Sequence, residues 1–243
     1  MNYAVNKKKL VENVLKNDGK IAFGTIYPES WAFNKEINPY PYNPRKALKL
    51  LNEAGWKDTN GNNILDKEGL ELDFTVLFKE GFAVDEKSLK HIKVDINQIG
   101  VSLKAKKFSA KEFNTFIMKK EFDAIIIDLA GRGDPDNSYK FWHSSQIIEG
   151  KNFFSYKNEK IDKLLEEGRK TSHIDLRKQL YDQFQERIFS DPPGIFLFWA
   201  SSLLMIHKRF KGVKIHPSWV LDLKDWYVPK KEQRGLVTVD STE

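Results

Sequence analysis

The sequence predicts an α/β fold in which a mostly parallel sheet is flanked by helices. Three observations carry that expectation. Between Leu70 and Ile127 the apolar residues switch repeatedly between a period of two and a period of 3.6. Gly100, and Ser109 with Glu112, supply a helix stop and a helix start at two of the switches. The run Phe122 to Ile127 is nearly continuously apolar, as in strands packed on both faces. A β-α-β-α-β order of this kind implies parallel strands joined by right-handed crossovers.

Taken in order, Val5, Val11, Val14 and Leu15 mark one stripe of an amphipathic helix that begins almost at the first residue. Gly19 to Tyr42 is poorly periodic, holds Trp31, Phe33 and several prolines, and reads as a long packed loop. Asn43 as N-cap and Pro44 in the first turn open a helix with Ala47, Leu48, Leu51 and Ala54 on its apolar face and Gly55 as its C-cap. Leu70 to Lys79 reads as a strand, Asp85 to Ile99 as a helix with Leu89, Ile92, Ile96 and Ile99 inward, and Val101, Leu103 and Ala105 as a second strand. After the Ser109 start come Phe113, Phe116 and Ile117 on a helix, then the third strand at 122–127. Asn158 caps a helix carrying Ile161, Leu164 and Leu165; Leu176, Leu180, Phe184 and Ile188 mark another, ended by Asp191-Pro-Pro-Gly. Ile195 to Ala200 is a fourth buried strand candidate that Leu203 to Ile206 would continue. Beyond Lys208 periodicity fades, yet Trp219, Trp226 and Tyr227 are too apolar for a free tail.

A chain of 243 residues, 40% hydrophobic, suffices for one large core or two small ones. The absence of cysteine excludes disulfides and thiol catalysis and removes most structural zinc sites. A net charge of +6 points toward anionic partners, but 34 acidic residues are interspersed with 40 basic ones, which reads as a mixed solvated surface. No window approaches the roughly 20 apolar residues of a membrane-spanning helix, and the first residues lack the apolar core of a signal peptide.

The stretch Ile125 to Ser145, "IIIDLAGRGDPDNSYKFWHSS", falls from a strand into a glycine-rich charged loop and then into aromatics. Arg132-Gly133-Asp134 is the tripeptide associated with integrin adhesion, but its place directly after a buried strand argues against an exposed adhesive tip. No Lys-Ser/Thr pair follows, so a phosphate loop is excluded too. In open parallel sheets ligands bind outside the carboxyl ends of the strands. Lys79 to Val84, Phe108-Ser109 and Leu129 to Asn137 are therefore expected on one edge, with Arg132, Asp134 and Asp136 suited to a polar or zwitterionic ligand. The alternative for Asp136 is a turn in which the aspartates cap the next helix through Asn137. His143 and the aromatics Trp31, Trp142 and Trp199 are candidate ligand contacts, each with a packing alternative.

Asp58 to Gly69, "DTNGNNILDKEG", has oxygens at the first, third, fifth and ninth places of a calcium loop, but Gly69 stands where a bidentate Glu belongs, so an Asn- and Gly-rich hairpin turn is expected. The five histidines show no metal spacing and no nucleophile, base and carboxylate can be grouped. No metal, no cofactor and no enzymatic activity are expected.

The segments "MNYAVNKKKLVENVL", "YPESWAFN", "YNPRKALKLLNEAGWKDTNGNNILDKEGLELDFTVLF", "DPDNSYKFWHSSQ", "NFFSYKNEKIDKLLEEGRK" and "LYDQFQERIFSDPPGIFLFWA" resemble, in sequence and order, the C-terminal part of the solute-binding proteins of bacterial ABC importers, peptide/nickel-binding family 5. The resemblance runs from about Met1 to Lys230 and is carried by Pro-x-x-Ala-x-x-Leu-Leu-x-x-Ala-Gly-Trp from Pro44 and Tyr-x-Asn-x-x-x-Asp-x-Leu-Leu from Tyr156. It implies a type II periplasmic-binding-protein-like lobe, residues 1–207, with 208–243 returning toward a first lobe that would lie upstream together with any signal segment. It also implies a periplasmic or cell-surface setting, a membrane permease as partner, and a peptide or related small molecule as ligand. In dipeptide-binding members an acidic residue just before the Asp134-Pro135-Asp136 equivalent pairs with the ligand amino group; Gly131 and Arg132 stand there, which points to an acidic or uncharged ligand. Lys79 and Lys87 are candidates for the basic residue that meets a ligand carboxylate. An isolated lobe would expose apolar surface and self-associate. The competing class is a basic module binding nucleic acid or anionic surfaces, resting on the charge and on "KAKKF", Lys104 to Phe108.

Overall fold

The computed structural model describes residues 1–129, 134–201, 204–214 and 223–233. Arg132, Trp219 and Leu203, singled out above, lie outside the described residues. Contacts divide the chain into two compact units, Met1–Ser201 and Ser202–Glu243.

In the first unit the elements are α1 (Lys7–Asn13), β1 (Gly19–Ile21), α2 (Pro44–Glu53), β2 (Asp66–Lys67), β3 (Leu70–Glu71), β4 (Asp73–Lys79), α3 (Ala83–Asn97), β5 (Ser102–Phe108), α4 (Ala110–Lys119), β6 (Ala124–Ile125), α5 (Ser138–Trp142), α6 (Glu159–Lys170), α7 (Ile174–Ser190) and β7 (Phe198–Ala200). The predicted parallel sheet is present, in the order β5-β4-β6 with both pairings parallel. Lys79 lies opposite Phe108 and Leu77 opposite Ile125, so the three carboxyl ends emerge on one edge.

The helices start where side chains take up free backbone N–H groups. Asn6 accepts from Lys9 N–H, Asn43 from Lys46 N–H and Asn158 from Lys160 and Ile161 N–H. Ser109 and Glu112 form the full reciprocal capping box. Gly100 stops α3 at φ +73°, and a Cβ there would come 2.8 Å from the Leu65 side chain, so both backbone and space require glycine. Leu89, Ile92, Ile96 and Ile99 are buried as predicted, with Val76, Phe78, Val101 and Leu103 of the sheet. Each contributes about 1.5–3 kcal/mol of burial.

Several expectations change. The 70–79 strand divides into β3 and β4, and β3 pairs with β2 in a tight hairpin that turns through Glu68 and Gly69 at positive φ; Leu70 is mostly exposed because it belongs to the hairpin. Strand 122–127 shrinks to β6. Ala124 and Ile126 face the α3 side and Ile125 and Ile127 the α4 side, so both faces pack, but as an edge strand it stays half-buried. The loop 19–42 begins with a strand, because β1 pairs antiparallel with β7 outside the parallel sheet. The fourth strand is accordingly only 198–200, and Leu204 to Ile206 do not extend it. Ala54 and Leu176 are exposed; Tyr181 takes the inward place on α7.

A second core joins α5, α6 and α7: Trp142, Ile161, Leu165, Tyr181, Phe184 and Ile188, with Ile26 and Ala32 of the loop. That loop is fixed to α7 by polar groups rather than by periodicity. Gln185 donates to Ala32 O and accepts from Asn34 N–H, and Tyr40 donates to Phe189 O at 2.8 Å while its ring stacks on Phe189. Ile195 and Leu197 pack on the sheet core and Phe196 on the helical core, so one alternating segment ties the two together. In the second unit Lys211 and Tyr227 exchange backbone hydrogen bonds and Trp226 lies against Phe210, although Tyr227 stays largely exposed.

Candidate functional site

At the carboxyl edge, Lys79 ends β4 with its ammonium 4.0 Å from the Phe82 ring centroid, a cation–π contact. Beside it lies a depression of about 170 Å³ lined by Phe78, Lys79, Gly81, Phe82, Ala83, Glu86 and Lys107. A larger open groove, about 530 Å³ along Arg45, Leu48, Lys49, Asn52 and Glu53, follows the outer face of α2 and includes none of the expected site residues. Asp85, in the first turn of α3, is 6% exposed. Burial, and then the nearby charge of Asp128, push its carboxyl up to about 6 against the opposing pull of Lys79. Asp85, Asp128 and Lys79 thus share this edge with Glu86 and Lys107 of the depression.

Asp134 and Asp136 flank buried Pro135 at the start of a 3-10 turn, Pro135–Asn137, that runs into α5. Asp134 itself is the cap, its Oδ1 accepting from Asp136 N–H at 2.8 Å. Its carboxylate also receives both terminal nitrogens of Arg177, at 3.1 and 3.4 Å. Asp136 pairs with Arg169 at 2.9 Å. Arg177 lies beside the edge-to-face pair of Trp31 and Tyr181, its guanidinium carbon 5.2 and 5.6 Å from their ring centroids, and Arg169 lies 4.1 Å from that of Tyr139.

The expected site residues therefore fall into separate settings. Asp134, Asp136, Asn137 and Trp31 gather around the α6–α7 hairpin, and Trp31 keeps partial exposure. Trp142 is buried among Phe154, Tyr156 and Phe196. His143 is buried too, stacked on Tyr139 at 4.2 Å, with Nδ1 2.8 Å from Ser145 Oγ and Nε2 3.2 Å from Glu166. Trp199 sits on β7 against Tyr27. Among the described residues no hydrogen bond or ion pair joins Lys79 or Trp199 to the Asp134 group.

The calcium-like stretch holds its oxygens on its own backbone. Asp58 accepts from Gly61 and Asn63 N–H, Asn60 from Asn62 N–H, Asn62 from Ile64 N–H, and Asp66 from Thr59. Among the described residues no group of His, Cys, Asp and Glu is arranged to hold a metal ion.

Arg169 and Arg177 were not expected from the sequence. One signal was present: Arg177 shares a stripe with Tyr181, Phe184 and Ile188, and a cation on an apolar face requires a partner. Asp85 gave a weaker signal, as a first-turn acid beside inward-facing Leu89.

Comparisons with known proteins agree with this architecture. The oligopeptide-binding protein AppA of Bacillus subtilis is 32% identical over 232 residues, 93% of this chain and 42% of its own length. Its structure in complex with a nonapeptide superposes with a TM-score of 0.84 at 31% identity, over 94% of this chain and 46% of that one. NikZ of Campylobacter jejuni, in complex with Ni(L-His), gives 0.80 at 28% identity over 93% of this chain and 47% of that one. Heme-binding protein A of Haemophilus influenzae is 29% identical over 87% of this chain and 38% of its own length. The chain thus spans less than half the length of these relatives. Its fold is that of a type II periplasmic binding protein. Residues 1–150 match the family model for bacterial extracellular solute-binding proteins, family 5, middle region, and the chain belongs to that family.

Proposed function

We propose that this chain forms a ligand-binding lobe, residues 1–207, of a protein that captures a peptide or related small solute outside the cytoplasm and delivers it to the membrane permease of an ABC importer. Residues 208–243 are the segment that returns toward the other lobe. The carrying observation is the carboxyl edge of β4, β5 and β6, where Lys79, Asp85 and Asp128 meet beside an open depression. Parallel sheets of this kind bind ligands at that edge. Lys79 is placed to meet a ligand carboxylate, and Trp31, the exposed aromatic of the Asp134 group, to stack on a planar side chain. Capture follows from closure of two walls on the solute, so one lobe binds weakly because half of the contacts and of the water exclusion are missing.

The test is a thermal-shift panel in which the protein is mixed with millimolar pools of synthetic nonapeptides, nickel with histidine, or heme. Stabilisation by peptides alone, reduced in Lys79→Met, is the expected result. The exposed lysines 104, 106 and 107 of edge strand β5 would support an anionic-surface reading instead. No shift with any solute, together with nucleic-acid binding that falls steeply with salt, would establish that second reading.

A further inference from the structure

We infer that Arg169 and Arg177 are positioning residues: the α6–α7 hairpin holds Asp134 and Asp136, and so fixes the segment 134–142 against the helical core. This rests on the solute-binding reading above.

An exposed ion pair contributes little on its own, but Arg177 is not a free surface group. Its side chain is 18% exposed, its two terminal nitrogens fork onto Asp134, its Nε donates to Gly168 O at 3.0 Å, and aromatic rings lie against it. Each of the three guanidinium nitrogens donates one hydrogen bond, and the fork fixes the carboxylate in orientation as well as distance. Arg169, one helix earlier, makes a looser contact: its half-exposed side chain lies against Tyr139 and brings Nε alone within 2.9 Å of Asp136 Oδ1, an ion pair without a fork. The far face of Tyr139 is covered by His143, which Glu166 holds from the same helix as Arg169. Pro135, buried between the two carboxylates, restricts the backbone that joins them. The acids on either side of Pro135 therefore face different helices, Asp134 through a fork to α7 and Asp136 through a single ion pair to α6. Their charge is neutralised within the lobe rather than offered to a solute.

A double-mutant cycle read by amide hydrogen exchange tests the clamp without a ligand. Arg177→Met and Asp134→Asn should each speed exchange in peptides covering 134–143 by roughly 5-fold, leave α3 and β4 unchanged, and show no further increase when combined. Arg169→Met should act in the same direction. Unchanged exchange in 134–143, or single effects that multiply in the double variant, would overturn the clamp. Should Arg177→Met fail to fold, Arg177→Lys keeps the stem and the charge but cannot fork; wild-type exchange in that variant would equally overturn it. Binding of a synthetic nonapeptide pool to the same proteins reads the positioning role. Weakened binding at unchanged melting temperature supports it, and unaltered binding in variants with a loosened segment refutes it. If the wild-type chain binds no peptide, the solute-binding reading fails, and the exchange cycle alone decides the clamp.

Discussion

The two cores of the first unit treat charge in opposite ways. In the helical core ionisable groups are held in pairs: Arg177 with Asp134, Arg169 with Asp136, Lys178 with Asp182, and His143 with Glu166. Among the described residues of the sheet half, four are buried with no ion pair: Asp66 and Asp95 accept the Thr59 and Asn6 backbone N–H groups, while Lys7 and Asp85 are shifted by burial. Lys7, 5% exposed, donates to Asn2 Oδ1 and Ala22 O at 3.4 and 3.3 Å, with no carboxylate paired to it among the described residues, and burial pulls it down to about 8. Asp85 is pushed up to about 6. Pairing lets charge build geometry, as at the Asp134 segment. Single burial instead lowers stability at neutral pH and makes it depend on pH.

The comparison breaks most severely if the halves are independent. Phe184 is fully buried in the helical core, and Phe184→Ala should cost about 4 kcal/mol. Because 195–198 packs on both cores, amides of α7 and of β4 should lose protection together. Loss confined to α7 would mean two separately stable halves, whose electrostatics could then not be weighed against one another.

How far each half was legible follows from what specifies it. The helices α2, α3, α4 and α6 were readable because cap and apolar stripe are local, and β4 and β5 because alternation is local. The β1-β7 pairing was not. It joins two three-residue strands from opposite ends of the unit, and nothing within Gly19–Ile21 announces its partner. The Asp134 segment was readable as a special loop but not as a clamped one, since its arginines lie on helices after an intervening stretch of chain. Trp142 and His143, candidate ligand contacts with a packing alternative, are buried in and beside the helical core; an aromatic run beside a loop has the same local pattern in a pocket and in a core.

Lys7→Met sharpens the contrast next. The unfolded chain keeps this proton to about 10.5 and the folded chain only to about 8. Between those values the unfolded state binds more protons, so stability rises with pH. The full linkage is about 3 kcal/mol, less about 1 for the Ala22 carbonyl left without its donor. The variant should gain about 2 kcal/mol at pH 7, with the gain gone by pH 10.5. Urea midpoints at the two pH values measure it; a loss at pH 7 would show that the amine is well satisfied where it is.

Asp85→Asn tests the other single charge with the opposite pH sense. Here the folded chain keeps the proton to about 6 and the unfolded chain releases it near 3.8, so stability falls as pH rises between the two. Allowing for water at the open sheet edge and for the lost acid in the first turn of α3, the gain at pH 7 should be about 1.5 kcal/mol, absent at pH 3.5. A pH-independent gain would trace the effect to packing instead of charge.

The smallest effect comes from a polar device of the sheet half that is neither buried alone nor paired across elements. Ser109 accepts from Glu112 N–H at 3.3 Å while Glu112 accepts from Ser109 N–H at 3.0 Å, closing the start of α4 within four residues. Ser109→Ala removes one acceptor and leaves Glu112 N–H to water, which should cost about 1 kcal/mol. Since α4 covers Leu77 and Ile125 of the sheet through Phe113 and Ile117, the loss should appear as faster exchange at the first turn of α4 before β4 is affected. Equal loss in α4 and in the Asp134 segment would mean that this local cap reaches the clamp, and the two halves would then share a polar framework rather than an apolar one.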